Sequence, residues 1–219
     1  MKSSWLALLI LILAATVHAQ GPQQLEPVAD REQVVENEDG GHAWLVLPLN
    51  GSMVIKARAM GISEVQQNSI FLGAGWADQS LRQQKQTLSH LLLNLPDHPA
   101  LQELIDSGMN VYAPVFSFEK PEVAGNRAIA DLEIQGIVRD SLKQGLSVNS
   151  KSLFVVFLDS GLTSTLGPLT GEKHYLAYHA YFNNAGARVH YVVVPFESDP
   201  KAAYRNAVRA FTVAAMHSD

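Results

Sequence analysis

The residues best equipped for chemistry are four histidines in the last third of the chain, His174, His179, His190 and His217. Imidazole titrates near neutrality and ligates metal ions, so a cluster of histidines raises two possibilities, a metal centre or a pH-sensitive contact. His174 to Phe182 and Arg188 to Phe196 are apolar and aromatic runs flanking Asn183-Asn-Ala-Gly186, which reads as a β-hairpin with a four-residue loop. Such a loop sets His179 opposite His190, whereas His174, five residues before His179, points to the other face. His179, His190 and His217 are therefore the candidate metal ligands, with zinc as the ion. A zinc site normally needs at least three protein ligands, and H-E-x-x-H occurs nowhere in the chain. The plainer reading packs the histidines beside Tyr175, Tyr178, Tyr181 and Tyr191 with their ring nitrogens satisfied. These tyrosines, with Phe182 and Phe196, could also line a groove for a carbohydrate or peptide, although hairpin packing accounts for them more simply.

Two further motifs invite chemistry and yield little. Gly73-Ala-Gly75 follows an apolar run as a dinucleotide-binding turn would, but Asp78 stands where the third glycine of G-x-G-x-x-G belongs, so a tight turn is expected. Asp159-Ser160-Gly161 follows another apolar run without the G-x-S-x-G elbow that exposes a nucleophilic serine, so it reads as loop chemistry. No residue is assigned a catalytic role.

The elements that must position these residues alternate between strand and helix. Trp44-Leu-Val-Leu-Pro-Leu, Asn50-Gly51 and Met53 to Ala57 suggest an opening hairpin. Ser69-Ile-Phe-Leu-Gly reads as a strand, and Asp78 as the cap of a helix to about Leu95 whose Leu81, Leu88, Leu91, Leu92 and Leu95 share one face. A short helix spans about His98 to Asp106, stopped by Gly108. Val111 to Phe118 has strand formers, and Pro114 within it argues for an edge or a bulge. Ile129 to Leu142 is an amphipathic helix ended by Gly145. Ser152 to Leu158 is apolar after Ser152, which suits a strand covered on both faces at the sheet centre. Asp199-Pro200 starts the terminal helix as N-cap and first-turn proline. The sum is an α/β domain, a mixed β-sheet with packed helices that ends in a β-hairpin and a C-terminal helix.

The 219 residues are 47% apolar, enough for one sizeable core. Lys2, the apolar run Trp5 to Ala15 and Val17-His18-Ala19 form a signal peptide over residues 1–19, cleaved after Ala19, because the apolar run is about half of the ~20 residues that span a bilayer. Residues 20–41 are polar and acidic, a flexible leader, and residues 42–219 form the single domain. The expected location is secreted or periplasmic, with no stable membrane anchor after cleavage. A net charge of −5 with scattered basic residues speaks against nucleic acid as a partner. The absence of cysteine excludes disulfides, thiolate ligands and a thioether lipid anchor.

Asp131-Leu-Glu-Ile-Gln135, Leu153-Phe-Val-Val-Phe-Leu-Asp-Ser-Gly161, Ala177-Tyr-His179 and Val189-His-Tyr-Val-Val-Val-Pro-Phe196, with Phe71-Leu-Gly-Ala-Gly-Trp76 earlier, resemble motifs of the bacterial relatives of the exordium or phosphate-induced protein family. The resemblance covers roughly Ser69 to Phe196 and implies an exported protein with a zincin-like arrangement. In that family the second motif typically ends in a Pro-Gly type turn and the third is typically Gly-Tyr-His, where this chain has Ala177. The family would also carry, after the hairpin, a Ser-His-Glu-like motif whose histidine binds zinc and whose glutamate serves as general base. Here Ala214-Ala-Met-His217 falls near that point, Ser218 occupies the glutamate position and Asp219 ends the chain. The expectation is a non-catalytic zincin-like domain with a binding or cell-surface role and no cofactor. The alternative is a metal-dependent, peptidase-like hydrolase, or a shortened form of one.

Overall fold

A computed structural model describes residues 33–36, 42–47, 64–123, 125–143 and 152–216. Their strands are β1 (Gln33–Glu36), β2 (His42–Val46), β3 (Glu64–Leu72), β4 (Asn110–Lys120), β5 (Arg127–Ala130), β6 (Ser152–Leu158), β7 (Leu162–Leu166), β8 (Leu169–Thr170), β9 (Ala177–Asn184) and β10 (Ala187–Val194). The helices are α1 (Gln79–Leu93), α2 (Gln102–Asp106), α3 (Asp131–Leu142) and α4 (Pro200–Met216). Seven strands form one sheet in the order β1-β2-β9-β10-β6-β3-β4, and β5-β7-β8 form a small second sheet. The fold is mixed α/β, as the alternation of periodicities implies, and it ends in the hairpin β9–β10 followed by α4.

β10 pairs parallel with β6 and antiparallel with β9, so it divides the sheet into a parallel half (β10, β6, β3, β4) and an antiparallel half (β9, β2, β1). Every residue of β6 is buried, as its unbroken apolar run requires, but β10 is the middle strand. β4 lies at the edge, and its register against β3 shifts between Gln66 and Asn68, opposite the segment that carries Pro114. Proline cannot donate to a ladder, which confines it to such a position. The helix expected from Ile129 begins at Asp131, because Ile129 belongs to β5 and pairs with Ser164 of β7. Residues 33–36, within the polar leader segment, form an edge strand on β2. The second arm of the opening hairpin, residues 53–57, lies outside the described residues, as do residues 1–19.

The core has two layers, one on each face of the large sheet. Leu153, Val155 and Phe157 of β6 join α1, α2 and α4 on one face, while Phe154, Val156 and Leu158 join α3 and the small sheet on the other. α4 has the repeat needed to cover a sheet: Ala203, Tyr204, Ala207, Val208, Ala210, Phe211, Val213, Ala214 and Ala215 are all buried. Asp199 caps it, its Oδ1 accepting from Lys201 N–H at 3.0 Å, and Pro200 fills the first turn.

Candidate functional site

The hairpin brings two of the three candidate metal ligands together. Its register pairs His179 with Val192 and His190 with Tyr181, because the connection is the two-residue turn Ala185-Gly186 rather than a four-residue loop. Both turn residues have positive φ, 50° and 85°, the primed conformation that suits the twist of paired strands. A shift of two residues preserves the face, so the histidines still meet on the diagonal: His179 Nε2 lies 3.1 Å from His190 Nδ1 and the rings are stacked at 15°. Trp44 stacks on His179 at 5.2 Å between centroids, and Tyr181 flanks His190 at 5.7 Å.

This pair is sealed. His179 is 0% exposed and His190 3%, on the same face of the sheet as α4. Burial pushes His190 down to about 4, with the nearby Arg188 charge acting in the same direction, so its neutral form is favoured at neutral pH. His217 lies outside the described residues. Among the described residues, no group of three or more His, Cys, Asp or Glu side chains could hold a metal ion. His174 sits in a turn outside β9, where its Nδ1 accepts from Thr170 N–H at 3.0 Å.

The residues adjacent to the histidines point to the other face and build a second polar cluster. The Tyr178 and Tyr191 hydroxyls each donate to Asp131 Oδ1 at 2.7 Å, and Gln135 Nε2 donates to Oδ2 at 3.0 Å. Asp131, at the first turn of α3, is fully buried, so three donors and the positive end of the helix hold its carboxylate. Burial and the Asp131 charge push the Tyr178 hydroxyl well above its ordinary range, which keeps it a donor.

The two glycine-bearing motifs prove to be halves of one structure at the carboxyl ends of β3 and β6. Asp159 Oδ2 accepts from Gly75 N–H at 2.5 Å and Oδ1 accepts from Gly161 N–H at 2.9 Å. Gly73 has φ 117°, and a Cβ there would lie 2.3 Å from Asp159 Cγ. The turn thus cradles the protein's own carboxylate. A phosphate at the same N–H groups would meet that negative charge, which removes the nucleotide reading of Gly73-Ala-Gly75. Ser160 follows Asp159 in this clamp region.

A cleft of about 290 Å³ opens at the end of β10, between the β8–β9 turn and the start of α4. Glu172, Glu197 and Asn206 face it beside Leu176, Pro195 and Phe196. None of the three polar residues stands out in the sequence, since each is isolated and their meeting depends on the open end of the hairpin. Burial, then the charge of Glu197, raises the Glu172 carboxyl above its usual range. Comparison of the chain with protein-family models, with curated proteins and with solved structures finds no match.

Proposed function

We propose that the chain is an exported, non-catalytic domain on a zincin-like scaffold, related to the exordium or phosphate-induced proteins, that acts by binding in the periplasm or at the cell surface. The observation that carries this reading is the sealed histidine pair. A hydrolytic metal needs an open coordination position facing substrate, and here both imidazoles lie in a packed layer with Trp44 and Tyr181 against them. The contact between Nε2 and Nδ1 gives each histidine a partner without an ion. The cleft beside Glu172 supplies an open concavity for a ligand.

The 3.1 Å separation also favours a second reading, a metal-dependent hydrolase in which His179 and His190 share one ion with His217, since two ligands of a single zinc stand about this far apart. Hydrolysis of a peptide library by the purified mature chain, with and without a chelator, separates the two. The binding reading expects no cleavage in either condition. Cleavage that the chelator removes and zinc restores would establish the hydrolase instead.

A further inference from the structure

The geometry points to the cleft at the end of β10 as a binding site for an alkylammonium group, held by the Glu172 and Glu197 carboxylates and the Asn206 carboxamide, with its alkyl portion against Leu176, Pro195 and Phe196. This inference goes beyond the non-catalytic reading and does not depend on the scaffold being zincin-like.

The walls are fixed by the backbone. Gly171 lies so close to Pro195 and Ser164 that a Cβ would stand 2.6 Å from the proline ring and 2.7 Å from the serine hydroxyl oxygen. This close approach seats the turn against the end of β10. Glu172 follows with φ 65°, a left-handed conformation unfavourable for a residue with a Cβ, and its N–H donates to Tyr175 O at 2.9 Å. Such strain is found where the surroundings over-determine a position, and here it sets the carboxylate on the cleft. On the other wall, Gln84 Nε2 donates to Glu197 O at 2.6 Å, which ties the segment after β10 to α1.

The chemistry selects a cation. Neither Glu172 nor Glu197 has an ion-pair partner among the described residues. Glu197 Oε1 accepts from Asp199 N–H at 3.3 Å, and the Asp199 carboxylate is engaged by Lys201 N–H and by Arg205 at 3.7 Å. Two facing carboxylates repel an anionic ligand and attract an ammonium, whose three N–H donors match two carboxylates and one amide oxygen. Asn206 is the independent observation. It is 7% exposed on α4, faces the cleft, and makes no side-chain hydrogen bond among the described residues. Its carboxamide opens onto the cleft, where its oxygen can accept from a ligand donor. The small volume limits the occupant to a short chain or the tip of a larger molecule, such as a lysine side chain or an amino sugar.

Isothermal titration calorimetry of the mature chain with n-butylamine, and with n-butanol as its neutral counterpart, tests the assignment. Saturable binding of the amine at neutral pH with none of the alcohol is expected. Glu172→Gln and Glu197→Gln should each weaken it about tenfold, the usual worth of one charge-assisted hydrogen bond. Asn206→Leu should abolish it, and Asp140→Asn, on the opposite face of the sheet, should leave it unchanged. Equal binding of amine and alcohol, no saturable binding, or calcium ion excluding the amine would each overturn the proposal. The wild-type amine and alcohol comparison stands even if a variant fails to fold. A negative result here leaves the non-catalytic reading to its own hydrolysis assay.

Discussion

The same two strands carry two buried polar clusters back to back, and they solve the cost of burial in opposite ways. Tyr178 and Tyr191 turn toward α3 and hold the Asp131 carboxylate, while their neighbours His179 and His190 turn toward α4 and hold each other. On one face a carboxylate has three donors and a helix terminus around it; on the other, desolvation favours the neutral form of His190 and one nitrogen of each ring meets the other. Removing a member should therefore hurt most on the Asp131 face, and acid should act on the histidine face.

The largest effect is expected for Asp131→Ala. It strands the hydroxyls of Tyr178 and Tyr191 and the Gln135 amide in a dry layer, and should cost about 4 kcal/mol in urea unfolding at neutral pH. A loss below ~1 kcal/mol would mean that the cluster is wet or rearranges. Next comes the pH dependence set by His190. Its folded-state value, about 4, lies below the unfolded 6.5, so the unfolded chain binds the extra proton and stability is complete only above 6.5. As pH falls from 6.5 to 4, stability should drop by about 3 kcal/mol, and His190→Gln should flatten that window. An unchanged profile in the variant would move the burial argument elsewhere.

Asp159 sharpens the comparison as a buried carboxylate held, among the described residues, by backbone N–H groups. Asp159→Ala leaves the N–H groups of Gly75 and Gly161 without their acceptor and should cost about 2 kcal/mol, less than Asp131→Ala because fewer donors are stranded. The smallest effect belongs to Tyr178→Phe, which removes one of two donors to the same oxygen, at about 1 kcal/mol. Combined with Tyr191→Phe in a double-mutant cycle, it should show positive coupling, since both hydroxyls share Oδ1.

Much of this frame was legible in the residues. The unbroken apolar run of β6 placed it inside the sheet, Pro114 pointed to an edge or a bulge for β4, and Asp199-Pro200 set the start of α4. The histidine pair was found through an incorrect register that happened to keep the right face: Ala185 adopts positive φ, which alanine seldom does, so a longer loop was expected. Asp131 and Asp159 were visible only as letters in longer motifs, because their partners come from strands far away in sequence. The cleft residues carried no local pattern at all. Glu172, Glu197 and Asn206 become neighbours only once the hairpin register, the Gly171 contact and the packing of α4 are set together.

The central proposal, that His179 Nε2 and His190 Nδ1 partner each other rather than a metal ion, is tested most directly by metal analysis of the chain purified without chelator. The account expects zinc, and every other transition metal, well below one equivalent per chain. One equivalent of zinc, lost on His179→Ala or His190→Ala in protein that remains folded, would contradict it.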